Sequence, residues 1–353
     1  MQLHLKKFPY HIKRMEYFLK IMKTLFFSTH KFEKEYLNNW TQKLSIDPIF
    51  FDSRLSLETV ELVHDVDSIS CWASDNLGKE VLRALKTKGV KFISLRSAGF
   101  SHIDIEEAKN LGFKVARVPS YSPEAIAEHT LGLLMCLNRK FPRAYQRVKD
   151  FNFSLDGLEG LTLHGKSVGV IGAGQIGLAF ARIMKGMGCK IYIYDPHIDK
   201  AALSELEAEK VELKTLLESS DVVSLHCPLN ENTKYIINKK TINYLKKDAF
   251  LLNTGRGALI ETQALIDKLK KKELRGVGLD VYEHEEDIFS HDHSLEGISD
   301  EKLLRLMSFP NVIITSHQAF FTKEALDNIA RISCENINNF NHNTAIEKSN
   351  VVL

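Results

Sequence analysis

A glycine-rich run, VGVIGAGQIG at residues 168–177, constrains the fold of this chain more than any other feature. An apolar strand-like stretch leads into it, a helical pattern follows it, and Gly172, Gly174 and Gly177 have GxGxxG spacing. In such a turn the first glycine allows a tight bend, the second lets the backbone approach a pyrophosphate, and the third allows close helix–strand packing. The helix N-terminus adds amide donors and the positive end of its dipole. The run therefore predicts the first βα turn of a dinucleotide-binding domain.

Short β-rich runs alternate with helical patterns through most of the 353 residues. The strand-like runs before the glycine-rich turn are KTLFFS (23–28), SISCWA (68–73), KFISLR (91–96) and KVARVP (114–119). The later ones are KIYIYD, DVVSLHC, AFLLNTG, GVGLDVY and NVIITSH. This alternation is typical of parallel sheets with helices on both faces. Because the chain is long enough for two domains, we expect an α/β architecture built from two strand–helix series.

A long helix is predicted between the two series, in SYSPEAIAEHTLGLLMCLNRK at residues 120–140. Ser122 is a good N-cap, Pro123 suits the first helical position, and Glu124 complements the helix dipole. We expect this helix to be largely buried, to join two domains, and to be apolar enough to contribute to a dimer interface. The last forty or so residues also have a helical pattern and are expected to return to the first domain.

The charge and hydropathy patterns argue against a nucleic-acid-binding protein and against a membrane-spanning one. Lys and Arg number 47 against 45 Asp and Glu, a net charge of +2, and the basic residues are spread along the chain. Nucleic-acid binding domains instead concentrate basic residues on one surface. The longest strongly apolar stretch, LGLLMCL at residues 131–137, is far too short to span a bilayer. We therefore expect no nucleic acid and no membrane as partner.

The cysteine pattern indicates a reducing compartment. The five thiols are widely scattered, with no CxxC pair and no histidine at zinc-site spacing: Cys71, Cys136, Cys189, Cys227 and Cys334. Such isolated thiols fit a cytoplasmic protein in which they are buried as small hydrophobic side chains. His291 and His293 flank Asp292, but further ligands are lacking, so this stretch is interpreted as a solvated loop. No metal site is predicted.

Residues 1–21 differ in composition from the rest of the chain. They contain five basic residues and one acid, namely Lys6, Lys7, Lys13, Arg14, Lys20 and Glu16. The segment lacks the apolar core and cleavage site of a secretory signal, and Pro9 interrupts any amphipathic membrane-surface helix. The first strand is predicted to start in MKTLFFS, at Met22. We expect residues 1–21 to be a dispensable extension.

Asp195 predicts which dinucleotide is bound. It ends the second strand of the second series, in IYIYDPH, eighteen residues beyond Gly177. A carboxylate at this position accepts hydrogen bonds from the adenosine ribose hydroxyls and repels a 2′-phosphate, and no arginine follows in PHIDK. NAD is therefore favoured over NADP. In the alternative interpretation, Asp195 closes a turn before Pro196.

Three further residues follow strands of the second series, where ligands bind in such sheets. Arg256, in LLNTGRGALIE, could hold a carboxylate with its planar guanidinium, or pair with a neighbouring acid for structural reasons. His317, in SHQAFF, could act as a proton donor near neutral pH, although a lone histidine is often structural. Glu285, in LDVYEHEEDIF, would favour the charged imidazolium if it reached His317. The spacing alone does not show that contact.

Seven ordered motifs give this chain a family resemblance. They are RSAGFSHID, VPSYSPEAIAEH, VIGAGQIG, SLHCPLNENT, NTGRGALIE, LDVYEHE and SHQAF. Together they resemble the D-isomer-specific 2-hydroxyacid dehydrogenase family over roughly residues 22–353. The resemblance implies NAD-dependent hydride transfer to a small 2-keto acid, with pyruvate as the expected substrate and a homodimer or higher homo-oligomer as the expected assembly.

The resemblance also assigns roles to individual residues. Arg256 would hold the substrate carboxylate and polarise the keto oxygen, His317 would be the acid/base, and Glu285 would hydrogen-bond to it. The remaining substrate-site residues would be Ala98, Gly99 and Tyr121. The residues expected to meet the cofactor are Gly172, Gly174, Gln175, Ile176, Gly177, Asp195, Cys227, Pro228, Asn232, Thr254 and Asp280. His226 could lie near the adenosine or be a core histidine. The remaining acids of LDVYEHEEDIF, namely Glu283, Glu286 and Asp287, are interpreted as a solvated loop.

The family fold implies two Rossmann-like or flavodoxin-like parallel-sheet domains with an inter-domain cleft. Residues 22–121 with 318–353 would form the substrate (catalytic) domain, and residues 122–317 the NAD-binding Rossmann domain. Two alternatives stay open for the function. One is the same reaction on another small or branched 2-keto acid, and the other is an NAD-sensing, corepressor-like interaction protein. A formate dehydrogenase is disfavoured because its histidine needs a partner other than Glu285.

Overall fold

The structure, a computed structural model, describes residues 22–286, 288–289 and 291–353. The predicted extension at residues 1–21 and the acid Asp287 lie outside the described residues. The chain divides into two compact units. The first contains the described residues up to Pro119 together with Ile329–Leu353, and the second contains Ser120–Asn328.

The first unit contains a five-stranded parallel sheet. Its strands are β1 (Met22–Phe26), β2 (Ile46–Phe50), β3 (Ser68–Cys71), β4 (Phe92–Leu95) and β5 (Lys114–Ala116). Their order is β2-β1-β3-β4-β5, the flavodoxin-like arrangement. The sequence did not predict β2, whose segment IDPIF contains a proline. Because β2 is the edge strand, Pro48 interrupts no central ladder.

The second unit contains a seven-stranded parallel sheet. Its strands are β6 (Ser167–Ile171), β7 (Lys190–Tyr194), β8 (Glu209–Lys210), β9 (Val222–Leu225), β10 (Ala249–Asn253), β11 (Leu274–Leu279) and β12 (Val312–Ile314). Their order is β12-β11-β10-β9-β6-β7-β8. The order reverses between β6 and β9, and ligands of such sheets bind outside the carboxyl ends of the strands at this point.

Helices cover both sheets. The structure places them at α1 (Lys31–Lys43), α2 (Lys79–Thr87), α3 (Ile105–Asn110), α4 (Pro123–Arg139), α5 (Phe141–Lys149), α6 (Gln175–Gly186), α7 (Lys200–Leu206), α8 (Leu213–Ser219), α9 (Thr262–Lys270), α10 (Glu301–Met307) and α11 (Lys323–Asn341). Short 3-10 turns lie at Thr59–Leu62, Thr241–Tyr244 and Gly257–Leu259. Among the described helices, none is long and apolar enough to cross a membrane.

Each sheet is buried by apolar clusters on both faces. In the first unit, α2 and α3 pack in one cluster, and α1 packs with the end of α11 in another. In the second unit, α4 and α6 cover one face, and α8, α9 and α10 cover the other. Strands β3, β4, β9 and β10 are fully buried, as expected for parallel strands covered on both sides. The predicted α/β architecture with two parallel-sheet domains is confirmed.

Helix α4 forms where the sequence predicts it. Ser122 is its N-cap, and the Ser122 hydroxyl accepts a hydrogen bond from the Ala125 amide. Its apolar side chains Leu133, Leu134 and Leu137 lie in the core of the second unit. The apolar character of α4 is therefore explained by packing inside this unit, and the expected contribution of α4 to a dimer interface stays a prediction.

The two units divide after Pro119 and again inside α11, after Asn328. The later residues of α11 belong to the first unit because Ala330, Cys334 and Ile337 pack in its core. The domain boundaries predicted from the sequence, at residues 121 and 317, stay predictions.

Candidate active site

The glycine-rich turn between β6 and α6 has three glycines in three different environments. Gly172 has a left-handed φ of +93°, and a Cβ added there would lie 2.4 Å from the Cys227 amide nitrogen. A Cβ on Gly177 would lie 2.0 Å from the Gly172 carbonyl oxygen. A Cβ on Gly174 would meet no described atom within 4 Å. Gly172 and Gly177 are therefore required by packing within the protein, whereas Gly174 keeps open a space that a ligand can fill.

The N-terminus of α6 faces this open space. Its N-cap is Gly174, which has no side chain to cap the first turn. The first-turn amides of α6, which include those of Gln175 and Ile176, receive no side-chain cap from the described residues. Free helix N-terminal amides are donors for a phosphate group. The turn thus fits the pyrophosphate of a dinucleotide, and the predicted roles of Gln175 and Ile176 stay predictions.

The contrast between Gly174 and Gly177 gives a test with an internal control. Gly174→Ala should leave the thermal stability unchanged, because alanine can adopt φ −68° and its methyl group meets open space. It should nevertheless weaken NADH binding at least about tenfold, since the methyl group occupies the approach to the pyrophosphate. Gly177→Ala should instead destabilise the fold by about 1–3 kcal/mol through overpacking. Calorimetry and NADH fluorescence titration measure both quantities, and equal NADH affinities for Gly174→Ala and the parent protein would contradict the assignment.

Asp195 lies directly after β7 and contacts the glycine-rich turn. Its Oδ2 accepts a hydrogen bond from the Ala173 amide at 2.7 Å, and its Oδ1 accepts one from the His197 amide at 2.7 Å. The turn-closing interpretation and the cofactor interpretation are thus compatible. Each carboxylate oxygen has two lone pairs, so Asp195 can still accept hydrogen bonds from ribose hydroxyls while it holds the turn.

The loop after β9 lies against the glycine-rich turn. The Cys227 thiol is buried, and burial raises its pKa to about 11. Pro228 and Asn232 are exposed. Thr254, after β10, is buried and hydrogen-bonded to the Thr130 hydroxyl of α4 at 2.9 Å. Their predicted contacts with the cofactor stay predictions.

His226 has the features of a core histidine. Its Nε2 lies 2.8 Å from the Ser224 hydroxyl, and its ring packs on Phe180 with 5.3 Å between ring centroids. Burial lowers its pKa to about 3, so the ring is neutral at physiological pH. The residue is nevertheless partly exposed, so both interpretations of His226 stay predictions.

His317 and Glu285 are brought into direct contact. The Nδ1 atom of His317 lies 2.6 Å from Glu285 Oε1, although the two residues follow different strands. The other carboxylate oxygen, Oε2, accepts a hydrogen bond from the Tyr282 amide at 2.7 Å. The His317 side chain is 40% exposed and that of Glu285 is 19% exposed. A carboxylate thus orients the imidazole while the ring stays accessible, which is the geometry that a general acid/base requires.

The solvated-loop prediction for Glu283 is wrong. Its side chain is only 10% exposed, and it accepts hydrogen bonds from the Tyr235 hydroxyl and the Thr262 amide. These bonds lower its pKa although burial alone would raise it. Glu286, by contrast, is exposed as predicted. Glu283 is a structural acid that anchors the loop carrying Glu285 to the start of α9.

Arg256 opens the 3-10 turn that follows β10. Its Nη1 donates a hydrogen bond to the adjacent Gly255 carbonyl at 2.7 Å, and Asn253 Nδ2 donates to the Arg256 carbonyl at 2.9 Å. Within the described part of the chain its guanidinium forms no ion pair. The alternative in which Arg256 pairs with a neighbouring acid therefore has no support there, and the half-buried guanidinium can bind an anionic ligand.

Gly257 locks the Arg256 turn against the loop that leads to Glu285. A Cβ on Gly257 would lie 2.0 Å from the Tyr282 carbonyl carbon and 2.4 Å from the Glu283 amide nitrogen. Only a glycine permits this approach, because the obstacle is backbone that cannot rotate away. The two backbones are thus fixed relative to one another, and with them the bases of the Arg256 and Glu285 side chains.

Asp280 directly follows β11 and is fully buried. Its backbone carbonyl accepts a hydrogen bond from the His317 amide at 2.8 Å. Its carboxylate accepts bonds from the Thr315 hydroxyl at 2.5 Å and from the amides of Gln318 and Ala319 at 2.9 Å each. Asp280 therefore holds the turn that contains His317. Its predicted contact with the cofactor carboxamide stays a prediction.

Tyr121 lies in the electrostatic field of this cluster. Burial raises the pKa of its hydroxyl; the positive charge of Arg256 lowers it and the negative charge of Asp280 raises it further. The Tyr121 ring packs edge-on against Phe320, with 6.2 Å between centroids. Tyr121 thus belongs to the second unit together with Arg256 and His317.

Ala98 and Gly99 lie in the loop after β4 of the first unit. The Ala98 carbonyl accepts a hydrogen bond from Arg117 at 2.7 Å, and the Gly99 carbonyl accepts one from the Ser97 hydroxyl at 2.7 Å. Their carbonyls are thus engaged by the protein, and their amides are the groups assigned to the substrate carboxylate. That role stays a prediction.

Two residues of the cluster were not predicted from the sequence. His129 of α4 lies 3.1 Å from the Thr315 hydroxyl and 3.4 Å from Asp280 Oδ1. His129 stands inside the motif SPEAIAEH, and Thr315 directly follows β12. The only available signal was a polar residue in an apolar helix and a hydroxyl at a strand end, and neither identifies its partner. Among the described residues, no group of three or more His, Cys, Asp or Glu side chains could hold a metal ion.

Most of the second unit matches a known family model. Residues 131–319 match the model of the D-isomer specific 2-hydroxyacid dehydrogenase, NAD binding domain. The chain is also 44% identical over 318 residues to the D-lactate dehydrogenase of Escherichia coli strain K12, covering 90% of this chain and 96% of that protein. The prediction of an NAD-binding domain at the glycine-rich turn is confirmed by this match.

Solved structures show the same similarity. The apo-structure of D-lactate dehydrogenase from Escherichia coli has a TM-score of 0.85 and 41% sequence identity, covering 94% of this chain and 100% of that chain. The NAD complexed form of the D-isomer specific 2-hydroxyacid dehydrogenase from Lactobacillus delbrueckii ssp. bulgaricus has a TM-score of 0.77 and 32% identity, covering 94% and 100% respectively. The similarity thus extends over both parallel-sheet units.

Proposed function

We propose that this chain is an NAD-dependent D-lactate dehydrogenase. It belongs to the D-isomer-specific 2-hydroxyacid dehydrogenase family. It would reversibly reduce pyruvate to D-lactate. The observation that carries this proposal is the 2.6 Å contact between His317 and Glu285, which supplies an oriented proton donor on an NAD-binding domain. The choice of pyruvate is supported by the relatives named D-lactate dehydrogenase.

Arg256 binds the substrate carboxylate. A guanidinium presents parallel N–H groups that match the two oxygens of a carboxylate, so the contact fixes orientation as well as position. The turn around Arg256 is held by Asn253 and by the close approach of Gly257 to the Tyr282 backbone. With the carboxylate held by Arg256 and the oxygen on C2 directed at His317, only one face of C2 is presented to the hydride donor, and this would determine the D configuration.

His317 exchanges a proton with the oxygen on C2. Held at the glycine-rich turn and by Asp195, the dinucleotide would supply a hydride to C2 in reduction and would accept it in oxidation. Because Nδ1 is engaged by Glu285, Nε2 is the nitrogen that donates to the nascent alkoxide or accepts from the alcohol. Glu285 is itself fixed by the Tyr282 amide, so the ring keeps one orientation in both directions of the reaction. Such proton transfer is worth about 10²–10⁴-fold in rate.

The test of this function is a spectrophotometric assay of NADH oxidation. Pyruvate, glyoxylate, hydroxypyruvate and a branched and an aromatic 2-keto acid are compared by kcat/KM, and the configuration of the lactate is determined enzymatically. Pyruvate should be the preferred substrate, NADH should be preferred over NADPH, and the product should be D-lactate. A higher kcat/KM for another 2-keto acid, or formation of L-lactate, would contradict the proposal.

A homodimer or higher homo-oligomer is the assembly we propose, and α5 with the segment after it is the surface that supports it. Phe141, Tyr145 and Val148 are 50%, 64% and 53% exposed and lie on one face of α5. Three further exposed apolar residues follow, namely Phe151, Phe153 and Leu155. No residue of α5 is buried within this chain. Exposed apolar residues grouped in one short stretch of the chain support a protein–protein interface there.

Charge substitutions on α5 test this assembly. The double variant Tyr145→Asp/Val148→Asp should shift the protein to monomers, because each carboxylate would be desolvated in an apolar interface. Sedimentation or light scattering measures the mass. The exposed, charged position Arg143 of the same helix provides a control, and Arg143→Gln should keep the parental mass. Unchanged mass of the double variant would show that α5 lies outside the interface.

We also infer a cytoplasmic location from the thiols. All five cysteines are free in the described structure, and the pairs that a disulfide would need are not formed. Free thiols persist where the compartment is reducing. Cell fractionation checks the location, and recovery of the protein with secreted material would contradict it.

A further inference from the structure

A second histidine–carboxylate contact lies next to the turn that contains His317. The Nε2 atom of His129, on α4, lies 3.1 Å from the Thr315 hydroxyl and 3.4 Å from Asp280 Oδ1. The Thr315 hydroxyl donates its proton to Asp280 at 2.5 Å. Its oxygen can therefore only accept from His129, which makes Nε2 the protonated ring nitrogen. The proposed reaction assigns no role to His129 or to Thr315.

Asp280 depends on these donors because it is a fully buried carboxylate. Burial raises its pKa, but hydrogen bonds from His129, Thr315 and two backbone amides outweigh that effect and bring the pKa below its usual range. A buried anion that loses a donor pays a large desolvation penalty. Oδ1 of Asp280 is shared by the Thr315 hydroxyl and the Gln318 amide, with His129 Nε2 3.4 Å away, and Oδ2 accepts from the Ala319 amide. The groups that stabilise the negative charge and the turn that carries His317 therefore meet at the same carboxylate.

The His317 turn has a backbone conformation that needs support. His317 has φ +48°, in the left-handed region that few non-glycine residues adopt. Three backbone amides of the turn donate hydrogen bonds to Asp280: the His317 amide to its carbonyl, and the Gln318 and Ala319 amides to its carboxylate. Without a charged, correctly oriented Asp280, the turn would relax and the imidazole would leave Glu285.

We propose that His129 is a positioning residue for His317. It acts through Thr315 and Asp280, whose carboxylate it keeps aimed at the amides of the 317–319 turn. This inference rests on the proposed function, because it assigns His129 to the proton-transfer step. This role differs from simple helix packing. His129 lies on α4, but its partners Thr315 and Asp280 follow β12 and β11, and Asp280 in turn contacts the turn that contains His317.

His129→Leu and His129→Gln separate positioning from packing. Leucine has a similar volume and no donor, whereas the amide of glutamine can reach the place of Nε2 and donate there. His129→Leu should lower kcat about 10- to 100-fold, the range expected when a reacting group is misplaced by about 1 Å. His129→Gln should restore most of kcat. Glu128→Gln, at the neighbouring exposed position of α4, is the matched control and should behave as the parent.

A second readout does not depend on turnover. In protein labelled with [15N]histidine, the short Nδ1–H bond from His317 to Glu285 should give a low-field proton resonance in the parent and in His129→Gln. The resonance should be lost in His129→Leu. Thr315→Val removes the hydroxyl that lies between His129 and Asp280, and it should also abolish the low-field resonance. This second variant keeps the test valid if His129→Leu does not fold.

The results for these variants either support or overturn the positioning role of His129. Loss of kcat and of the resonance in His129→Leu, with rescue by His129→Gln, supports the positioning role. Parental kcat in His129→Leu, an equally defective His129→Gln, or an unchanged resonance in His129→Leu overturns it. If the parent protein fails to reduce pyruvate, the proposed function fails, but the resonance in the variants still decides whether His129 positions His317.

Discussion

Replacing His317 by asparagine should reduce kcat about 100- to 10,000-fold, the usual contribution of a general acid/base. Asparagine has no titratable group, so the nascent alkoxide would take its proton from water. NADH binding should be preserved, since the glycine-rich turn and Asp195 lie at other strands of the sheet. Steady-state kinetics with pyruvate and NADH fluorescence titration measure the two effects separately.

Two further variants help to explain the kcat loss expected for His317→Asn. Glu285→Gln should give a smaller loss than His317→Asn, because glutamine can still accept a hydrogen bond from the ring but no longer supplies a charge. His284→Asn is the matched control: His284 lies in the same loop but its side chain is 58% exposed, and its replacement should leave kcat unchanged. A fully active His317→Asn variant would refute the acid/base assignment.

Replacing Arg256 by leucine should lower kcat/KM for pyruvate about 100- to 1,000-fold. The loss corresponds to about 3–4 kcal/mol, which is in the range of two charge-assisted hydrogen bonds of about 1.5–3 kcal/mol each. Most of the change should be in KM for pyruvate, because the guanidinium is assigned to the carboxylate, while a part should be in kcat through lost orientation. NADH affinity should stay that of the parent.

Arg256→Lys refines this experiment. Lysine keeps the positive charge but not the planar fork, so kcat/KM should lie between the parent and Arg256→Leu. Arg305→Leu, at an exposed position of α10, controls for the loss of an arginine elsewhere in the same unit. If Arg256→Leu retains the parental KM for pyruvate, the carboxylate is bound by another group.

Local patterns were sufficient for most of the architecture. The strand runs, the helix at α4 with its Ser122 cap and the glycine-rich turn were predicted because strand periodicity, capping and backbone freedom are properties of neighbouring residues. Strand β2 was not predicted because its segment contains a proline. A proline is tolerated there because β2 is the edge strand of the sheet. The edge position depends on the order of all five strands, which local patterns do not show.

The acids of the run LDVYEHEEDIF show where local patterns fail. Glu283, Glu285 and Glu286 occur within four residues of one another, yet one anchors α9, one contacts His317 and one is exposed. The resemblance to the family distinguished Glu285 from the neighbouring acids. Glu283, however, was wrongly expected to lie in a solvated loop. Tyr235 and Thr262, the partners of Glu283, lie far away in sequence and close in space.

Patterns among neighbouring residues were enough to predict two parallel-sheet units, a dinucleotide turn at the start of the second series, and positions after separate strands for Arg256, Glu285 and His317. The contacts of Glu285 with His317, of Gly257 with the Tyr282 backbone, and of His129 with Asp280 became visible only in the folded chain. Hydrogen bonds and desolvation depend on distances of a few ångströms between side chains on different elements. Strand order and register set those distances, and no spacing along the chain encodes them directly.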